Sequence, residues 1–315
     1  MARRSKYRSG GIHLPPPVAS KTAHRYRYHF ESLSGLVDYV EKAEIYPCYG
    51  DGAGARTSDG EWSGTSNLPE ALALARNGWA KGRNKLVSAF TAAQAQFVME
   101  AAYSMDVAGA YPIVALAVAG DPCNMVDLAP IEKRNKPIVR LVANMVASAA
   151  YDAEEMINYG AAVLSYLDGL EAAGFRCELV WQYFVGLNVG DACYNLTIVA
   201  KQAEEPMELD KLAFMWINPA MSRRLGFQHC QSKQPIDSLP SGAMSGCGSI
   251  RNHVIGIDTE PGQLLIPGVN VFAPGAPQLR SPEAAALALA PIMQRMLGEA
   301  GVNPPELAFG GKAAA

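Results

Sequence analysis

Residues 138–185 read IVRLVANMVASAAYDAEEMINYGAAVLSYLDGLEAAGFRCELVWQYFV. Ile138 to Ala143 is an apolar run of strand length, followed by polar and small residues through Ser148. Ala153 to Ala173 reads as a long helix, with Gly174 placed to end it in a left-handed cap. Arg176 to Val185 is a second strand. Apolar strands alternating with helices predict an α/β fold with a mostly parallel sheet covered by helices on both faces.

Downstream the alternation continues. Leu196 to Ala200 is expected to be a strand and Leu209 to Ile217 a helix interrupted by Asn218-Pro219, with a further turn at Met221 to Leu225. Gly262 to Ile266 reads as a late strand. Ser281-Pro282-Glu283 opens the last helix, Ser281 as cap and Pro282 in the first position. Upstream, Ile113 to Ala119 is a continuous apolar run closed by Gly120-Asp121-Pro122 and is expected to be a buried strand. Ser32 to Lys42 is a short helix presenting Leu33, Leu36, Val37 and Val40 on one face. Ser66 or Asn67 caps the next helix, which carries Pro69 in its first turn and ends at Gly78-Trp79. A further helix is expected from Arg83 to about Met105.

These elements divide the chain into a basic arm (1–30), a mainly helical N-terminal region (31–108), an α/β domain (109–300) and a loose tail (301–315). The first thirty residues hold seven Lys/Arg (Arg3, Arg4, Lys6, Arg8, Lys21, Arg25, Arg27), three His and no Asp or Glu. The net charge of the whole chain is −3, so the remainder is clearly acidic. Gly10-Gly11 and Pro15-Pro16-Pro17 keep the arm from forming a helix or a central strand, although Arg25 to Phe30 has the texture of a strand entering the body. A basic arm binds polyanions by releasing their counterions, and Tyr7, Tyr26, Tyr28 and Phe30 offer rings that could stack on bases. The expected partner is DNA or RNA without sequence preference, alongside a protein partner or a second copy of the chain.

The chain has 315 residues, 49% of them hydrophobic and 18% charged, as in ordinary globular proteins. No apolar run is long enough to cross a bilayer, and the basic N-terminus lacks the apolar core of a signal peptide. Six widely spaced cysteines without a C-x-x-C pair read as reduced, mostly buried thiols of a cytoplasmic protein.

Several motifs invite a chemical reading. Gly50-Asp51-Gly52-Ala53-Gly54-Ala55 matches the letter of a dinucleotide fingerprint, but the turn-like residues after it do not open a helix, so the match is rejected. His229, Cys230, Cys247 and His253 are zinc-capable without the paired spacing of a zinc site. Ser241 to Ile250 is a Gly/Ser-rich loop without a nucleophile elbow. Asp121 and Asp127 follow one expected strand, Asn144 and Ser148 another, and Asp191 lies between later strands. Polar groups beyond strand ends sit where open α/β sheets place ligands, which makes Asp121, Asn144 and Ser148 a candidate sheet-edge site. Arg223-Arg224 reads as a solvated helix end or a phosphate contact. Trp62 and Trp79 bracket a helix and are expected to anchor it. No cofactor and no metal are expected.

Four segments carry a family resemblance. They are Trp62-Ser63-Gly64 with Glu70 to Trp79, then Val118 to Met125, then Gly160 to Leu179, then Asn218 to Phe227. In order and spacing they resemble segments shared by uncharacterised bacteriophage and prophage proteins. That likeness implies a phage origin, with the cytoplasm of a bacterial host cell or the virion as location, and no activity. The order of elements from Ile138 to Val185 also resembles a von Willebrand factor A domain. Asn144-Met145-Val146-Ala147-Ser148 occupies the place of that domain's D-x-S-x-S metal loop, with Asn144 for the Asp and Val146 for the first Ser. The resemblance implies a Rossmann-like, A-domain-like architecture whose metal site is degenerate. The expected function is a non-enzymatic phage-type protein that binds a macromolecule, as a virion or nucleoprotein component. Two alternatives stay open: metal-assisted hydrolysis or phosphoryl transfer at Asp121, Asn144 and Ser148, and an A-domain-like adaptor for an ATPase.

Overall fold

The computed structural model describes residues 12–13, 18–19, 24–46, 63–94, 103–109, 111–128, 138–148, 150–172, 175–187, 192–233, 249–250, 263–266 and 268–299. In chain order the strands are β1 (Ile12–His13), β2 (Val18–Ala19), β3 (His24–Phe30), β4 (Tyr103–Asp106), β5 (Tyr111–Pro112) and β6 (Met125–Leu128). They continue as β7 (Ile138–Asn144), β8 (Arg176–Gly186), β9 (Cys193–Lys201), β10 (Ser249–Ile250) and β11 (Gln263–Ile266). The helices are α1 (Leu33–Lys42), α2 (Leu68–Asn77), α3 (Ala80–Gln94), α4 (Val114–Ala119), α5 (Ala153–Ala172), α6 (Leu209–Ile217), α7 (Phe227–Cys230) and α8 (Pro282–Glu299).

The fold is mixed α/β, built on a mostly parallel sheet flanked by helices. Its five main strands run in the order β3-β9-β8-β7-β11. β11 with β7, β7 with β8, and β3 with β9 are parallel, and only β8 with β9 is antiparallel. β1 and β2 extend the sheet beyond β3, and β10 pairs with β8.

Alternation along the strands sorts side chains onto two faces. Val139, Leu141 and Ala143 share one face with Cys177, Trp181, Tyr183, Leu196, Ile198, Tyr28 and Phe30, all buried in a single core with the helices. Val142, Val180, Phe184 and Val199 point the other way and are buried without joining that core. Among the described helices α1, α5, α6 and α8 contact strands of the sheet. α5 also packs on α3, α6 and α8. It is apolar nearly all round because it is enclosed nearly all round.

Local signals explain where these helices begin. Asn67 accepts from Glu70 N (2.9 Å) while Glu70 accepts from Ser66 N (2.7 Å), which fixes the start of α2. Asp152 and Glu155 form a reciprocal capping box at α5, Asp152 accepting from Glu155 N (2.8 Å) and Glu155 from Asp152 N (3.0 Å). Ser32 caps α1, one residue before the helix begins, and Ser281 caps α8 as its sequence predicts. The four apolar residues assigned to one face of α1 are the four that it buries.

The contact between α5 and α6 depends on a residue without a side chain. A Cβ on Gly160 would lie 2.6 Å from Ile217 Cγ2 and 3.1 Å from Trp216 Cδ1. Gly160→Leu is therefore expected to destabilise the fold by about 1–3 kcal/mol through overpacking, read as a lower urea midpoint.

Two expectations are corrected. Ile113 to Ala119 is not a buried strand: Val114–Ala119 is the short exposed helix α4, closed by Gly120 in the left-handed conformation. A seven-residue apolar run fits either state, and three alanines with a glycine stop favour the helix. The helix expected to reach Met105 is described only to Gln94, and Tyr103–Asp106 is a strand. It pairs with β6, which also pairs with β5, in a separate three-stranded sheet. No described helix is long and apolar enough to cross a membrane.

Candidate functional site

β7 ends at Asn144, and its exit is held by backbone-directed bonds. Asn144 is buried, and its Oδ1 accepts from Val146 N at 3.3 Å. Met145 N donates to Gln182 O (3.1 Å), which carries the ladder one residue past the strand. Asn270 Nδ2 donates to Val146 O (2.7 Å), and a Cβ on Gly268 would lie 2.6 Å from Asn144 O. Ser148 Oγ accepts from Ala150 N (3.2 Å), and Ser148 O accepts from Arg223 Nη2 (2.7 Å). Asn144 and Ser148 thus shape one turn.

Asp121 stands elsewhere. It is exposed beside α4, next to the three-stranded sheet, and its carboxylate accepts from Cys123 N at 2.9 Å. The three candidates therefore belong to two different sheets. Asp127 lies in β6, and Asp191 lies outside the described residues. Among the described residues no three His, Cys, Asp or Glu side chains are grouped to hold a metal ion.

Arg223 and Arg224 are not a solvated helix end, because both are buried. They sit in a π-helical turn, Met221–Gly226, that runs into α7. Such turns insert a residue into a helix and re-aim its side chains. Arg224 Nη2 donates to Ser63 Oγ (2.7 Å) and Thr65 O (2.5 Å), tying the turn to the segment before α2. Burial lowers the Arg223 pKa to about 10, and lowers that of Arg224 against an opposing pull from Glu70.

α7 places His229 in an aromatic box. Its ring meets Tyr28 and Phe30 edge-on, with centroids 5.3 and 5.4 Å away, and Tyr39 at 4.8 Å. Tyr194 hydrogen-bonds to His229 Nδ1. Complete burial pushes the His229 pKa down to about 3, so the ring is neutral at pH 7. Cys230 is buried beside it, while Cys247 and His253 lie outside the described residues. Cys177 is also buried, Cys193 is partly so and Cys123 is exposed, while Cys48 lies outside the described residues.

The sheet face turned away from the core carries a polar row beside Val142, Val180, Phe184 and Val199. Register aligns His29 with Thr197, Thr197 with Gln182, and Gln182 with Asn144. His29 Nδ1 lies 2.9 Å from Thr197 Oγ1, and Gln182 Nε2 donates to Asn195 Oδ1 at 3.0 Å. Arg140 pairs with Glu178 at 3.1 Å, and His29 Nε2 faces Glu31 at 3.4 Å. Burial lowers the His29 pKa despite Glu31. The alternation Tyr194-Asn195-Leu196-Thr197-Ile198 carries the signal for half of this row; its continuity across four strands emerges only from the register.

The basic residues divide. Arg25 and Arg27 stand in β3, opposite Cys193 and Asn195, with Arg27 on the face that bears His29. Arg3, Arg4, Lys6, Arg8 and Lys21 lie outside the described residues, as do Tyr7, Trp62, most of the Ser241–Ile250 loop and the Gly50–Ala55 segment. Tyr26, Tyr28 and Phe30 are buried and spent on the core, so these rings do not stack on bases. Trp79 is half-buried against the core, as an anchor would be.

A domain of unknown function, DUF7192, matches residues 12–257. The chain belongs to the DUF7192 family. The DUF7192 match begins at β1 and takes in β3, the three-stranded sheet, β7 to β10 and the buried arginine turn; it leaves out β11 and α8. No curated protein and no solved structure matches the chain.

Proposed function

We propose that this DUF7192 protein is a non-enzymatic, phage-type binder of a polyanionic macromolecule, holding DNA or RNA through its basic N-terminal segment without sequence preference. One observation carries the reading. Seven Lys/Arg and no acid occupy residues 1–30, and the end of that segment is built into the sheet as β3. A basic segment continuous with a rigid strand holds its anion at a fixed edge of the body. With three of its four rings buried, affinity rests on charge, which supports non-specific contact. The resemblance to phage and prophage proteins supports a virion or nucleoprotein role in a bacterial host. The hydrolase alternative draws less support, because Asp121 is on a different sheet from Asn144 and Ser148 and each of the three already accepts a local backbone amide.

The test is salt-dependent retention of the full chain on DNA and RNA. Replacing Arg3, Arg4, Lys6 and Arg8 together by Glu is expected to flatten the log–log salt slope by roughly 0.9 for each phosphate no longer neutralised. Retention that is unchanged by this variant, or insensitive to salt, overturns the proposal.

A further inference from the structure

Five of the large apolar side chains that stand exposed on this protein fall within fourteen residues of one another: Met105, Val107, Tyr111, Val114 and Val118. Met105 and Tyr111 stand in the small sheet β4-β6-β5, Val107 in the bend after β4, and Val114 and Val118 in α4, where Val118 is 83% exposed. Scattered surface valines need no explanation, but exposed apolar side chains gathered in one small sheet and the helix beside it mark an interface. The outer edges of β4 and β5 are also without a strand partner among the described residues. Unpaired edges beside apolar surface are a template for another chain.

Charge decides which chain. Residues 103–128 contain Asp106, Asp121 and Asp127 and no Lys or Arg. Two such units face to face would oppose the exposed Asp106 and Asp121 of one to those of the other, which disfavours a symmetric contact through this surface. The first thirty residues of the same chain have the opposite character, with seven positive charges and none negative. We propose that copies of this protein assemble head to tail, the acidic three-stranded unit of one copy docking on the basic N-terminal segment of the next. The apolar cluster supplies the burial and the charges supply the direction. A contact between two different surfaces closes into a ring or grows into a filament. This goes beyond the nucleic-acid reading and does not depend on it. Because both use the same basic segment, a polyanion competes with assembly.

The experiment is light scattering on the full chain, freed of nucleic acid, over a rising concentration series. The weight-average mass is expected to rise at least about twofold, as a heterologous contact requires. Val114→Asp with Val118→Asp is expected to abolish the rise. So is Asp106→Lys with Asp121→Lys, and so is the Glu variant of Arg3, Arg4, Lys6 and Arg8. Mixing the last two variants restores association, because each then offers the charge that the other lacks. The substituted unit is exposed, and an unchanged circular dichroism spectrum confirms that each variant is folded. A mass that stays monomeric at every concentration, a rise that survives the charge reversals, or a mixture that fails to associate overturns the proposal. Loss of DNA retention alone leaves these readouts unchanged, so failure of the two readings is distinguishable.

Discussion

Arg224→Ala is expected to lower the stability of the fold by about 2–5 kcal/mol, read as a reduced urea midpoint. The side chain is buried, and its Nη2 serves both Ser63 Oγ and Thr65 O. Truncation removes the charged donor from both oxygens and leaves them only the bond that Ser63 Oγ donates to Thr65 O at 2.7 Å. It also leaves a cavity beneath the π-helical turn, whose cost adds to the first. Arg224→Lys keeps the charge but not the planar fork that reaches two acceptors, and is expected to recover only part of the loss. Wild-type stability in Arg224→Ala would show that the turn is held by other contacts.

A second large effect concerns acid. His229 is wholly buried and titrates near 3, whereas the unfolded chain takes up that proton near 6.5. Between those values the unfolded state binds one more proton than the folded state, so stability is full above about pH 6.5 and falls as pH drops. The slope is about 1.4 kcal/mol per pH unit for a single proton. His229→Gln keeps a hydrogen-bonding group for Tyr194 and cannot titrate. The variant is expected to lose that share of the pH dependence between pH 6.5 and 3, whatever its stability at neutral pH. Parallel curves of urea midpoint against pH for the two proteins would contradict the burial of a neutral ring.

The two residues show what local reading misses. Arg223-Arg224 follows Asn218-Pro219 and has the composition of an exposed helix end. Nothing in the neighbouring sequence reveals that Ser63 and Thr65, from the far side of the chain, enclose one guanidinium and that Ser148 O receives the other. His229 likewise reads as a zinc-capable side chain until β3 and β9 bring Tyr28, Phe30 and Tyr194 around it. The candidate sheet-edge site divides along the same line. Asn144 and Ser148 are placed at a strand end by the alternation of elements, and they share a turn. Asp121 joins them in the sequence only because the run before it has the texture of a strand.

By itself the sequence determined the helices at 33–42, 68–77, 153–172 and 282–299, and the strands at 138–144 and 176–186. Their caps and periodicities act over three or four residues, so a short window contains the whole cause. It also determined the charge asymmetry on which both functional proposals stand. Only the tertiary structure decided that Val114–Ala119 is an exposed helix, that Tyr103–Asp106 is a strand, and that the tyrosines of β3 face the core. It also decided that two arginines are buried. Apart from the exposed helix, each of those outcomes turns on a partner distant in sequence, and the free energy of pairing an edge or burying a charge resides in that partner as much as in the residue itself.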